Sequence, residues 1–376
     1  MARLKLPLVE CFAEIADPRI ERTRQHLLCD ILTLAVLAVI AGAEGWEDIE
    51  EFGQSKHEWL KRYLALPNGI PSHDTISRVF RALKPQEFNA ALTQWMETLH
   101  EELGFKHVAI DGKTLRRSHD RGSMREALHL VCAWSTAHQS VLGQQATDAK
   151  SNEITAIPLL LQMLELKGAI VTIDAMGCQK EIARQIVEGG GDYVLAVKQN
   201  QPTRYAAISD YFLHLHETGL AGRGVRQLKT VDQGHGRLED RYYYITALPD
   251  SMIAFRDEWA SLTSIGQVVS VTTRDGKEVS EVRQFILSTP PEVKRFARAN
   301  RGHWGIENSL HWTLDITFRE DESRIRKDHG PENFASLRRA ALGLIKQDKS
   351  KGSVKKKRKR AGWNNEALLT IVQNGR

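Results

Sequence analysis

Apolar residues change their spacing twice along this chain, and each change marks a change of structure. Up to about residue 100 the spacing is helical: Cys29 to Ala41 is apolar almost throughout, and Trp46, Ile49, Phe52, Trp59, Leu60 and Tyr63 recur on one side of a second stretch. Ser72 to Leu83 and Pro85 to Leu103 continue the pattern, and Pro71-Ser72 with Asp74 one turn on predicts a helix start. From Lys106 the texture becomes β-rich, with strands expected at His107 to Ile110, Ala127 to Ser135 and Ser140 to Thr147. A helix at Glu153 to Leu166, a strand at Ile170 to Ile173, a helix at Gln179 to Glu188 and a strand at Tyr193 to Lys198 follow. Three meandering strands, then strands alternating with helices, is an α/β order with a sheet between helical layers.

The second change comes after a helix at Pro202 to His216. Strands are expected at Val225 to Val231, Arg237 to Ala247, Gln267 to Thr273 and Val279 to Ser288, with Asp275-Gly276 as the hairpin turn between the last two. Helices at Glu292 to Asn300, His303 to Phe318 and Glu332 to Gln347 come next, so the β-rich block reads as an insertion into the α/β domain. The resulting division is 1–104 (helical), 105–217 (first part of the α/β core), 218–290 (insertion), 291–347 (second part of the core) and 348–376 (basic tail).

Composition changes this picture little: 376 residues at 41% hydrophobic and 26% charged describe an ordinary globular protein. The net charge of +5 is modest but concentrated, because Lys355 to Arg360 reads KKKRKR, which points to a polyanionic partner. Cys11, Cys29, Cys132 and Cys178 have neither disulfide-framework nor zinc spacing, which fits a reducing compartment. The longest apolar run is too short to span a bilayer, and the N-terminus has no signal-peptide pattern, so a cytoplasmic location is expected.

The chemistry lies in three carboxylates. Asp111 ends the apolar run HVAID, and Asp174 ends AIVTID. Aspartate is a poor strand former, so two of them at strand tips need a reason other than packing. Glu307 sits in a helical stretch whose apolar Ile306, Leu310 and Leu314 face a core, where an unpaired carboxylate is costly. Two aspartates on neighbouring strand tips with a glutamate from a crossing helix form an all-oxygen set suited to Mg²⁺, with Mn²⁺ as a substitute, and to two-metal phosphoryl transfer. Each residue also has a plainer reading: strand-end Asp as a turn residue, and Glu307 as the salt-bridge partner of an arginine such as Arg301.

The motifs AIDGKTLRRS, KSNEITAIPLLL, TIDAMGCQKEIA, DYVLAVKQNQ, HGRLEDR and HWGIENSLHWTLDITFREDESRIR resemble, in order, the bacterial insertion-sequence transposases known as H-repeat-associated proteins. FAEIADPR and NGIPSHDTISRVF extend the resemblance towards the N-terminus. It implies an RNase H-like mixed sheet flanked by helices, with a β-rich insertion and an all-α N-terminal domain that binds DNA. It also implies a DDE triad of Asp111, Asp174 and Glu307, which holds Mg²⁺, cleaves element ends and joins them to target DNA. Where related transposases with β-insertions carry a Tyr and an Arg before the Glu and a Lys after it, this chain has Asn300, His303 and Leu314. A hairpin-forming cleavage route is therefore not expected.

Further assignments follow from position. Lys113 and Arg116 after the first Asp, Lys198 at a strand end, Arg237 in the insertion and His303 before the Glu are candidates for contact with the DNA backbone, and Arg78 for reading bases from the Ser72 to Leu83 helix. Glu153 is either a helix-start residue or a further neighbour of the metal. The KKKRKR tail, read as a solvated segment, adds salt-dependent affinity without sequence information. The partners expected are double-stranded DNA and a second copy of the chain, at the bacterial nucleoid. A nuclease that cuts without joining, and a catalytically silent DNA-binding descendant of a transposon, are the competing readings.

Overall fold

The computed structural model describes residues 6–99, 105–120, 122, 124, 126–147, 153–234 and 237–373. Helices α1 (Pro7–Cys11), α2 (Leu28–Ala41), α3 (Trp46–Ser55), α4 (His57–Leu60), α5 (His73–Ala82) and α6 (Pro85–Thr98) come first. Helix α2 is apolar on every side and therefore has to be surrounded; it is buried almost throughout and stops at Gly42, whose φ of 129° is open to glycine. Helix α5 starts where Ser72 Oγ accepts a hydrogen bond from the Thr75 N–H, and it buries Ile76, Val79 and Phe80 while leaving Arg78 in solvent.

Strands β1 (Lys106–Thr114), β2 (His129–Ser135) and β3 (Ser140–Thr147) are followed by α7 (Glu153–Leu161), β4 (Ala169–Ile173), α8 (Lys180–Glu188), β5 (Asp192–Val197) and α9 (Pro202–Thr218). Then come β6 (Arg226–Gly234), β7 (Arg237–Ala247), α10 (Ala254–Glu258), β8 (Ser264–Arg274), β9 (Lys277–Leu287) and α11 (Val293–Gly305). The expected hairpin at Asp275-Gly276 is present: Arg274 pairs with Lys277, and both turn residues have positive φ, 51° and 75°, as a type I′ turn requires. The strand order is β3-β2-β1-β4-β5-β9-β8-β7-β6, a mixed sheet with β1, β4 and β5 parallel. Strands β6 to β9 are inserted in the chain, yet they extend this one sheet, because β9 pairs with β5 from Val194↔Leu287 to Val197↔Gln284.

Two compact units are formed: residues Met1–Gly104, Gly112–Asn152 and Glu307–Arg376 make the first, and Phe105–Asp111 with Glu153–Ile306 the second. In the first, the N-terminal helices share their core with α13 (Gly330–Gln347) and α14 (Val354–Trp363), after which α15 (Asn365–Val372) follows. Asn333 of α13 donates to the carbonyls of Phe80 and Leu83 at 2.7 and 2.9 Å, satisfying the end of α5. In the second, α11 lays Phe296, Ala297 and Ala299 against Ile170, Val194, Tyr243, Ile245 and Phe285 of the sheet. Among the described residues, no single helix is long and apolar enough to cross a membrane.

The basic run does not form the expected solvated tail. It lies in α14, where Lys357 and Arg358 are buried. Arg358 donates to the carbonyls of Val39 (3.1 Å), Ala43 (3.1 Å) and Thr317 (2.7 Å) and stacks on Phe318, so it ties the end of α2 to the segment around Thr317. The fit is close: a Cβ at Gly362 would lie 2.7 Å from the carbonyl oxygen of Ala41.

Candidate active site

Parallel pairing of β1 with β4 runs from Lys106↔Ala169 to Ile110↔Ile173, so the next residues on the two neighbouring strands are Asp111 and Asp174. The preceding apolar residues are buried and both aspartates are half-buried; Asp174 follows the end of β4, whereas Asp111, expected at a strand tip, lies inside β1, which runs on to Thr114. The cap reading of Asp174 is correct for one oxygen: Oδ1 accepts from the N–H of Met176 (3.0 Å) and Gly177 (3.4 Å), opening a 3-10 turn. Among the described residues no donor is bonded to Oδ2. The turn also needs its glycine, because a Cβ at Gly177 would lie 2.3 Å from Ile173 Cγ2.

Glu307 is exposed and lies on a π-helical segment, Ile306–His311, that leads into α12 (Trp312–Phe318); a regular helix was expected there. Burial of Ile306, Leu310, Leu314 and Phe318, each four residues after the last, gives the reason. At 3.6 residues per turn a four-residue step overshoots by about 40°. A locally wider turn takes up that drift and keeps the stripe inward, and such turns are frequent at functional sites.

One turn before Glu307, His303 ends α11 against the sheet. Its Nδ1 lies 3.0 Å from Thr172 Oγ1, and His107 Nε2 lies 3.0 Å from the same oxygen. A hydroxyl has one proton, so Thr172 donates to one ring and accepts from the other. Burial pushes His107 down to about 3, helped by the neighbouring His303 and by the charge of Arg298; burial also lowers His303 to about 4 against the pull of Asp174. Both rings are therefore neutral near pH 7, and His303 serves as a strut between α11 and β4. It is not the expected cation for DNA.

Lys113 also departs from expectation. It is buried, and its ammonium is bonded to Asp315 and lies 3.2 Å from Glu320 and 3.6 Å from Asp321, so its charge is matched within the protein. Arg339 completes the network with a 2.8 Å bond to Glu320. Burial alone would raise the Glu320 carboxyl; Arg339, Lys113 and Arg338 outweigh it and hold it down at about 2. Arg116 stands in solvent, with Asp321 at 3.3 Å.

Lys198 is exposed beside Asp174 in a cavity of about 580 Å³, whose walls include Met176, Tyr205, Val282, Arg283 and Asn200. Asn200 donates to the Ala175 carbonyl at 2.6 Å, and Arg283 stacks on Trp304 at 4.5 Å. Tyr205 and Arg283 gave no sequence signal, since only the β5–β9 pairing carries Arg283 to this edge. Glu153 is buried at the start of α7; Arg301 pairs with Asp232 at 3.1 Å, and Arg241 is buried against Asp232 and Glu239. His235 and the Arg237 side chain lie outside the described residues.

Among the described residues, no group of three or more His, Cys, Asp or Glu is gathered as a ready-made metal site. Asp111 and Asp174 nonetheless suit Mg²⁺, which prefers hard oxygen donors and is characteristically held by one or two carboxylates together with substrate phosphates.

Comparison with known proteins establishes the family. A model described as the transposase DDE domain matches residues 102–344, and its DDE_Tnp_1-associated companion matches 9–96. The H repeat-associated putative transposase YhhI of Escherichia coli strain K12 is 40% identical over 370 residues, 97% of each chain. The putative transposase YncI of Escherichia coli O157:H7 is 41% identical over 361 residues, 95% of this chain and 92% of that one. A solved piggyBac transposase synaptic complex with hairpin DNA aligns over 98% of this chain and 77% of its own, but at 10% identity and a TM-score of 0.40 it carries no argument. The chain belongs to the DDE transposase family that includes the H-repeat-associated proteins.

Two outcomes are expected. Thr172→Val, which keeps the shape but strands two imidazoles, should lower stability in urea by about 1–3 kcal/mol, and Thr172→Ser should restore most of it; equal stability of the two variants would deny the strut. Glu320→Gln should cost about 3–5 kcal/mol at pH 7, because it leaves the buried Arg339 without its carboxylate and takes one of three from Lys113. Since the folded-state pKa is depressed, this contribution is present above the ordinary value of 4.5 and is lost as pH falls towards about 2, so wild type and variant should converge across that window.

Proposed function

We propose that this transposase cuts DNA at the ends of an insertion element and joins those ends to target DNA through Asp111, Asp174 and Glu307. The observation that carries the reading is the Ile110↔Ile173 register, which sets Asp111 of β1 beside the end of β4, where Asp174 lines a cavity. These carboxylates would hold Mg²⁺, or Mn²⁺ in its place, and the bound ion would supply the positive charge that phosphoryl transfer needs. Cutting by water and joining by a DNA 3′-hydroxyl are both in-line displacements at phosphorus, so one set of residues serves both. Lys198, exposed beside Asp174, and Arg116 contact the DNA backbone and fix its register without reading sequence. Double-stranded DNA at the bacterial nucleoid is the substrate, and pairing two element ends calls for two copies of the chain.

Two experiments test this. Asp111→Asn, Asp174→Asn and Glu307→Gln should each abolish Mg²⁺-dependent cleavage and joining while leaving DNA binding intact; turnover within about tenfold of wild type for any one would remove that residue from the set. Helix α5, with Arg78 in solvent and Phe80 and Leu83 inward, suits major-groove reading. Arg78→Ala should cost about 1–3 kcal/mol on the element end and less on random DNA. Equal losses on both would make Arg78 a backbone contact.

A further inference from the structure

The cations of the α14 region fall into two sets. Lys357 and Arg358 are buried, Lys357 within 3.6 Å of Asp348 and Arg358 on main-chain carbonyls. Lys349, Lys351, Lys355, Lys356 and Lys359 are all exposed, and none is ion-paired with a carboxylate among the described residues. Lys355, Lys359 and Trp363 recur at four-residue steps and so share one side of the helix, and the Trp363 ring is 81% exposed. Lysines without carboxylate partners repel one another, and a polyanion laid along this side of the helix would relieve that repulsion.

We infer that the outer face of α14 is a docking surface for the backbone of duplex DNA, separate from the carboxylate site and blind to sequence. Lys355 and Lys359 stand about 6 Å apart along the helix, and Trp363 about 6 Å further. Duplex DNA carries one charge per roughly 3.4 Å of axis on each strand, so that step matches about two charges of one strand. The lysines meet phosphates, and the indole lies against the sugar edge. The inner set holds the helix firmly enough for the outer set to keep this spacing. A lipid surface fits less well, because Trp363 is the one exposed large apolar group that α14 offers.

Binding by the full-length protein tests this without metal or cleavage, so inactivity of the carboxylates would leave the result readable. Affinity is measured against salt for an element-end duplex and a random duplex, with wild type and the combined Lys355→Gln, Lys356→Gln, Lys359→Gln variant. The expected result is an equal loss on both duplexes, with the slope of log K against log salt reduced by about 2–3. Binding should also quench tryptophan emission in wild type and less so in Trp363→Phe. Arg358→Ala should lower the melting temperature and leave the salt slope of the folded protein unchanged. An unchanged slope in the triple variant overturns the proposal, as does a loss confined to the element end. An unchanged slope with weaker binding to phosphatidylserine vesicles, or with an altered oligomeric state, would assign the face to a membrane or to a second copy instead.

Discussion

The parallel ladder between β1 and β4 is the constraint on which the catalytic reading depends. Side chains alternate along a strand, so a slip of one residue would turn one aspartate to the opposite face while leaving the sheet as well bonded as before. Packing prevents the slip: Val108, Ala109, Ile110, Val171 and Ile173 are buried, and Thr172 is tied at once to His107 on one side and His303 on the other. The polar strut adds to the ladder what apolar contacts supply poorly, a fixed axial position for α11 against β4.

Much of this fold was legible in the sequence because its strands are short and strongly apolar and its turns carry their own chemistry. The runs before Asp111 and Asp174 could be read as buried strands, and Asp275-Gly276 as a hairpin, since each signal is local; the polar tip was right for β4, whereas β1 runs on through Asp111 to Thr114. Pairing partners are not local. Nothing in the sequence of β9 says that it lies beside β5, and the β-rich block therefore reads as an appendage although it extends the main sheet. Arg283, Tyr205 and the cavity beside Asp174 were hidden for the same reason.

Charge was the weaker guide. Lys113 follows the first aspartate and reads as a cation offered to phosphate, but three carboxylates from a segment some two hundred residues away enclose it. A run such as KKKRKR looks uniform in one dimension. On a helix, two of its members turn inward, and one of them, Arg358, reaches the carbonyls of Val39 and Ala43 at the end of α2 and of Thr317 in α12. Counting charges recovers the net field and misses this division, because burial depends on the surface the helix lies against.

The widened turn at Ile306–His311 bears on how this chain can vary. A substitution there alters one side chain. Loss of a single residue there would close the widened turn to an ordinary one and leave the helix beyond it in phase, because a π turn is an α turn with one residue to spare. Leu314 and Phe318 would keep their side of the helix, whereas the same loss within α12 would swing everything after it by about 100°. A gene copy short of one codon could therefore keep its helix and still differ only where the carboxylate of Glu307 stands.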